Sequence, residues 1–234
     1  MSLKICAVIP VYNEEELIDE FSTRLIDSLR NLTSRYEVIF IVEGSDNTLQ
    51  KLTQLSATNP RVKVEYSPKR LGLGKATKKG LGLVSPDTDL VLIMDADLNH
   101  RPEEIKMLLA ASAHADIVVG CRSRARGLVS ELPFFKRVIS GTTNWLLRKF
   151  FRVPASDVTS GFRLYSANAI DSVRDELTAK NFEITPEILI RAKRKGFSIA
   201  EVPITFTPRP RGTSKLSFVK SGIGYAVLFL RLRF

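Results

Sequence analysis

Two cysteines and two histidines are all that this 234-residue chain offers for stapling or metallating a small fold. Cys6 and Cys121 lie in or at the ends of apolar runs, without Cys-x-x-Cys or Cys-x-x-His spacing, so both are expected as reduced core thiols of a cytosolic protein. His100 and His114 lack a second histidine at zinc-binding spacing. No basic-then-apolar leader precedes the first apolar run, and no run approaches the roughly 18 residues of a membrane span. A soluble or peripheral protein without a transmembrane segment is therefore expected. Repeats, low-complexity tracts and long linkers are missing too, which points to a single domain.

Acidic residues are scarce in two stretches. Residues 120–152 carry eight basic and one acidic residue, and residues 191–234 carry ten and one, which leaves the remainder net negative within an overall charge of +10. Such a basic C-terminal half predicts an anionic partner: phosphate groups, an acidic membrane surface or nucleic acid. With 44% hydrophobic and 26% charged residues, the chain can bury one substantial core.

Its main pattern is alternation. Apolar runs of strand length at 5–9, 38–42, 62–66, 90–94 and 117–120 alternate with helical patterns at 14–32, 48–57, 75–83 and 102–113. This is the βαβ signature of an α/β fold: a mainly parallel central sheet with helices on both faces. Asn13 is expected to N-cap the first helix. After about residue 120 the simple alternation stops. An amphipathic helix at 133–151, a polar turn at 155–161, a short strand at 162–165, a helix entered through Thr185 and Pro186, a strand at 202–206 and a final helix at 217–231 are predicted. Ligands of an open parallel sheet sit at the C-terminal ends of its strands.

Those ends carry the chemistry. Asp95-Ala96-Asp97 follows the run at 90–94, and carboxylates two residues apart at a strand end leave on the same face, where they can share Mg2+ or Mn2+ with diphosphate oxygens. The first run ends in Pro10-Val11-Tyr12-Asn13-Glu14, offering Tyr12 as a face for a nucleobase and Glu14 as an acceptor for base or ribose donors. A capped helix with an acidic first turn accounts equally for these residues. The second run ends in Val42-Glu43-Gly44-Ser45-Asp46, another acidic strand end. Gly72-Leu73-Gly74-Lys75 is a glycine-rich turn before a helix, a candidate phosphate or ribose contact. It is not a P-loop, because Ala76 follows the lysine where Ser or Thr is required.

Together these segments resemble glycosyltransferase family 2, and the later ones its dolichyl-phosphate mannose synthase branch. The matching pieces, at 9–14, 72–76, 94–103, 120–122, 160–162 and 211–216, run in family order over nearly the whole chain. The resemblance implies a glycosyltransferase-A type fold with a nucleotide-sugar-binding half over about 1–120, an acceptor-binding half over about 121–234, and a basic, membrane-facing helical portion at the C-terminus. It implies that Pro10, Tyr12, Glu14, Val42 and Glu43 bind the nucleotide and that Asp95, Ala96 and Asp97 hold diphosphate and metal. Asn99 stands where the branch usually has a glutamine metal ligand, one methylene longer. The segment at 43–46 is one residue short of the family pattern, leaving either Glu43 or Asp46 to meet the base. Arg122, Arg211 and Lys215 match basic residues near the phosphates, and with Asp97 they form the implied catalytic set. Lys136, Ser140 and Arg211 match the acceptor-phosphate site, with Lys136 in place of an arginine.

The implied reaction transfers mannose, with inversion, from GDP-mannose to dolichyl or another polyprenyl phosphate at the cytoplasmic face of a membrane. Contact with the membrane would be peripheral, through 133–151 and 223–234, or supplied by a small membrane subunit. The acceptor phosphate, with a second pKa of about 6, is already ionised at neutral pH, so no strong base is needed. Asp157, the nearest base candidate, can instead orient Arg or Ser side chains. UDP-glucose as donor would keep the same mechanism. From a different class, a nucleic-acid-binding protein would also explain the basic clusters. Against it, the basic residues are not interleaved with stacking aromatics, and acidic strand ends repel a polyanion, so no nucleic acid partner is expected.

Overall fold

The computed structural model describes residues 2–122, 134–207 and 218–233, with the side chains of all but 134–140 and 218–221. Among the described residues, seven strands form one sheet in the order β3-β2-β1-β4-β6-β5-β7. β1 (Ile5–Tyr12), β2 (Tyr36–Glu43), β3 (Val62–Ser67) and β4 (Leu90–Ile93) run parallel. β5 (Ile117–Cys121) pairs in parallel with β7 (Ile199–Pro203), while β6 (Arg163–Ser166) lies antiparallel between β4 and β5.

The central strands read as unbroken apolar runs because helices cover both faces. Cys6, Val8, Ile39 and Ile41 point into one core, against α3 (Leu73–Leu81), α5 (Phe134–Phe151), α6 (Ala167–Val173), α7 (Ile184–Arg194) and α8 (Phe218–Leu232). Ile5, Ala7, Val38 and Phe40, the alternate residues, point into the other, against α1 (Ile18–Leu32), α2 (Thr48–Thr58) and α4 (Ile105–Ala111). Both cysteines are free and buried, as expected, and burial pushes the Cys6 thiol up to about 12.

Several local expectations are corrected. Asn13 does not cap a helix: α1 begins only at Ile18, and Asn13 adopts a left-handed φ of 52° so that its Oδ1 accepts the Ser45 N–H at 2.9 Å. It ties the end of β1 to the end of β2. The helix expected over 102–113 is split into a 3-10 turn, Pro102–Glu104, and α4. The last strand is Ile199–Pro203, and Phe206 keeps only a single bridge to His100. α6 was not anticipated; it starts where Ser166 accepts the Ala169 N–H at 3.3 Å. Among the described residues, no helix is long and apolar enough to cross a membrane.

Candidate active site

The carboxyl ends of β1, β2, β4 and β5 open on one edge of the sheet. Parallel register sets Pro10 beside Ile41 and Tyr12 beside Glu43. Tyr12 is half-buried, with the Arg70 guanidinium 4.2 Å from its ring centroid, so an aromatic face and a cation meet there. Glu14 is buried, and its backbone N–H donates to Thr48 Oγ1 at 2.9 Å.

The two acidic candidates for the base hold backbone as well. Glu43 is buried, and its Oε2 accepts the N–H groups of Leu71 at 2.6 Å and Gly72 at 3.1 Å. Asp46 accepts the N–H groups of Glu15 at 3.0 Å and Thr48 at 3.1 Å. Val42 turns its side chain into the core shared with α1 and α2, which leaves its backbone to face any ligand.

The glycine-rich turn packs closely against residues 179–181. A Cβ on Gly74 would stand 2.5 Å from the Ala179 carbonyl oxygen, and one on Gly72, at φ 83°, would stand 2.5 Å from Asn181 Oδ1. Gly74 N–H donates to the Lys180 carbonyl at 3.1 Å. These glycines admit the close approach of 179–181.

At the end of β4 the chain alternates buried Met94, Ala96 and Leu98 with half-buried Asp95, Asp97 and Asn99. Leu98 takes a left-handed φ of 58°, which folds Asn99 back on Asp97: its backbone N–H donates to Oδ1 at 3.1 Å and its side-chain amide to Oδ2 at 2.9 Å. Asn99 Oδ1 is buried without a hydrogen-bond partner. An orphaned buried oxygen in the same short segment as two carboxylates fits a hard divalent cation, for which oxygen ligands are the rule. Among the described residues no cluster of three His, Cys, Asp or Glu could hold a metal, and Asn99 Oδ1 is a candidate further oxygen, directly or through a water.

Arg122 follows β5 and is clamped by Asp157. Nε donates to Oδ2 at 2.7 Å, Nη2 to Oδ1 at 2.8 Å and the backbone N–H to Oδ2 at 3.0 Å, while Nη2 also reaches Thr159 Oγ1 at 2.9 Å. Burial disfavours both charges, yet the ion pair prevails: it holds Asp157 at about 2 and raises Arg122 above its ordinary value. Asp157 therefore orients Arg122, and a carboxyl ionised so far below neutrality is a poor base. The Arg122 guanidinium also lies 5.5 Å from the Phe206 ring centroid.

His100 is buried, 5.5 Å from the ring centroids of Phe162 and Phe206. Burial, with Arg122 adding to it, lowers its pKa to about 4, so it packs as a neutral ring. The turn leading to β6 is anchored from two sides. Arg163, fully buried, donates from Nη2 to the Val158 carbonyl at 2.6 Å and from Nη1 to the Thr185 carbonyl at 2.5 Å. Glu201 accepts the N–H groups of Ser156 and Asp157. Neither Arg163 nor Glu201 carries a local motif, and only the fold brings them to the site. Arg211 and Lys215 lie outside the described residues, as do the side chains of Lys136 and Ser140 on α5.

The strand order and the acidic end of β4 are those of a glycosyltransferase-A type fold. The chain belongs to glycosyltransferase family 2, whose model matches residues 6–174. It is 36% identical over 220 residues to a dolichol-phosphate mannosyltransferase of Pyrococcus furiosus, covering 92% of this chain and 59% of that protein. It is 33% identical over 215 residues to a polyprenol monophosphomannose synthase of Mycolicibacterium smegmatis, covering 90% and 80% respectively. This chain thus spans well under two thirds of the Pyrococcus protein. A solved structure of Mycobacterium tuberculosis glucosyl-3-phosphoglycerate synthase, with Mn2+, UDP and product bound, shares the fold at a TM-score of 0.65 and 23% identity, covering 98% of this chain and 78% of that one.

Proposed function

We propose that this chain transfers mannose from GDP-mannose to a polyprenyl phosphate of the dolichyl type, with inversion and with Mg2+ or Mn2+ as cofactor. The observation that carries this is the placement, on the strand ends either side of β6, of the oxygen set Asp95, Asp97 and Asn99 Oδ1 and the clamped cation Arg122. The names of the two relatives support the choice of sugar and acceptor. Donor binding falls to residues 1–120 and acceptor binding to residues 121–234, with Tyr12 offering its face to the base.

The metal would rest on Asp95, Asp97 and Asn99 and supply charge neutralisation at the diphosphate. Arg122, fixed in direction by Asp157, places a permanent positive charge beside it. The residues matching the acceptor site are Lys136, Ser140 and Arg211, with Lys215 in the same basic loop. Two anions must be aligned against their mutual repulsion, so fixed cations do more here than a base would.

Membrane contact is peripheral in this reading, at a cytoplasmic surface, with room for a small membrane subunit. α5 and α8 stack through Phe150 and Phe229, whose ring centroids are 4.1 Å apart. Leu147, Phe151, Leu228 and Leu232 point into the core, so these faces of the two helices pack on the sheet. Trp145 at 55% exposure, Ile223 at 61% and Leu230 at 64% face outward, and Lys149 lies 5.0 Å from the Trp145 ring. An apolar outer face edged with cations suits an anionic lipid surface.

The test is calorimetric titration of the protein with GDP-mannose, UDP-glucose, GDP and UDP, with Mn2+ present and then chelated, followed by a polyprenyl-phosphate transfer assay. Metal-dependent preference for the guanosine ligands and lipid-linked mannose as product are expected. Preference for the uridine ligands would overturn the donor assignment.

A further inference from the structure

We infer that Glu201 is a positioning residue for transfer: through the 156–157 backbone and Asp157 it sets the direction in which Arg122 points. The inference rests on Arg122 acting at the phosphates, as proposed above.

Glu201 stands on β7, opposite Val119 of β5. Its Oε1 accepts the backbone N–H groups of Ser156 at 2.6 Å and Asp157 at 2.9 Å, and its Oε2 accepts the Ser156 hydroxyl at 2.8 Å. None of these three donors is charged, so the carboxylate neutralises nothing there. Two consecutive N–H groups converging on one oxygen fix the orientation of the peptide plane between them, and with it the starting direction of the Asp157 side chain.

Asp157 passes that direction on. It accepts the Arg122 backbone N–H together with Nε and Nη2, so backbone and side chain of the arginine are held by one carboxylate. The clamp occupies the Nε–Nη2 edge and leaves Nη1 outside it. Without Glu201, Asp157 and Arg122 remain an ion pair tied to Thr159 and to the Arg122 backbone N–H, but the peptide that carries Asp157 loses its anchor and the pair can shift with it. On a guanidinium that must meet a diphosphate, a shift of about 1 Å is costly in rate while leaving ground-state binding largely intact.

A double-mutant cycle tests this, using Arg122→Lys and Glu201→Ala, with kcat measured for whichever nucleotide sugar the wild-type protein turns over. Glu201→Ala alone is expected to lower kcat about 10- to 100-fold with donor KM changed less than about threefold, the scale seen when partners that orient a site residue are lost. In the Arg122→Lys background the same substitution is expected to cost less than about threefold, since the lysine cannot use the aim that Glu201 provides. Glu201→Gln, which keeps an oxygen for both N–H groups, is expected to restore most of the rate. Additive losses in the cycle overturn the inference, and so does a loss of rate that follows loss of folded protein in thermal unfolding. If Glu201→Ala does not fold, Ser156→Ala, which removes the donor to Oε2, takes its place under the same criteria. A wild-type protein that prefers UDP-glucose would refute the donor assignment alone and leave the cycle readable with that donor.

Discussion

Gly161 lies against Asp95: a Cβ built on its backbone would stand 2.9 Å from Oδ2. The antiparallel strand β6 brings this glycine to the end of β4, where its lack of a side chain leaves room for the first carboxylate of the pair. The side chain that is missing at 161 is as much a part of the site as the carboxylates themselves.

Gly161→Ala is therefore expected to re-aim Asp95 without unfolding the protein, since residue 161 does not require a positive φ. The Mn2+ concentration for half-maximal transfer should rise about tenfold, in line with the loss of groups that orient metal ligands. A metal titration of initial rates, with a thermal melt as control, checks this. An unchanged metal requirement would remove Gly161 from the site.

Asp97→Ala removes a metal oxygen and the partner of the Asn99 amide together. Transfer should fall at least about 1,000-fold, on the scale of removing a preorganised charge partner at a reacting phosphate, while the melting temperature stays nearly constant. Full activity of this variant in chelator would exclude the proposed use of metal.

The acid limb of the rate profile should belong to the acceptor. The folded pKa of Asp157, about 2, lies below its unfolded value of 3.8, so its contribution to stability is complete above about pH 4 and is lost as pH falls through 2. Between pH 5 and 8 Asp157 does not titrate, and kcat should fall below an apparent pKa of about 6, that of a phosphate monoester. Asp157→Asn is expected to lower the plateau and leave that apparent pKa in place. A displaced pKa in the variant would assign the limb to the protein.

Ile223→Glu combined with Leu230→Glu places charge on the outer face of α8 and spares the inward Leu228 and Leu232. Turnover of a long-chain polyprenyl phosphate in anionic vesicles should drop about tenfold or more, since each substitution opposes insertion into the lipid interface. A short, water-soluble acceptor should be used as before. Equal losses on both acceptors would make this face merely structural.

Gly74→Ala should destabilise by about 1–3 kcal/mol, because the new methyl meets the backbone at Ala179 and Lys180, which cannot step aside as a flexible side chain can. Chemical denaturation measures this. A neutral result would mean that the 179–181 segment yields.

The strands could be read from the sequence because the stretches 5–9, 38–42 and 90–93 are buried on both faces and have no polar positions to blur them. Asp95, Asp97 and Asn99 could be read because one short segment carries all three. Glu43 was legible as an acid at a strand end but not as the acceptor for the Leu71 and Gly72 amides, which lie 28 and 29 residues away. The glycine turn could be read as a place of close approach, but its spacing does not reveal that residues 179–181 are what approaches. Asn13 has the composition of a helix cap, yet its amide is taken by Ser45 across the strand ends. Asp157, Arg163 and Glu201 come together from separate elements, and no periodicity marks such a meeting.

The place of β6 also bears on how the chain is made. β4 and β5 both precede it in the chain, yet each owes one of its neighbours to it. During synthesis the facing edges of those two strands stay open until Ser166 has left the ribosome, and open edges are what stray chains and aggregates pair with. A nascent chain halted at Cys121 is thus not half a working protein but a sheet with unpaired strand edges.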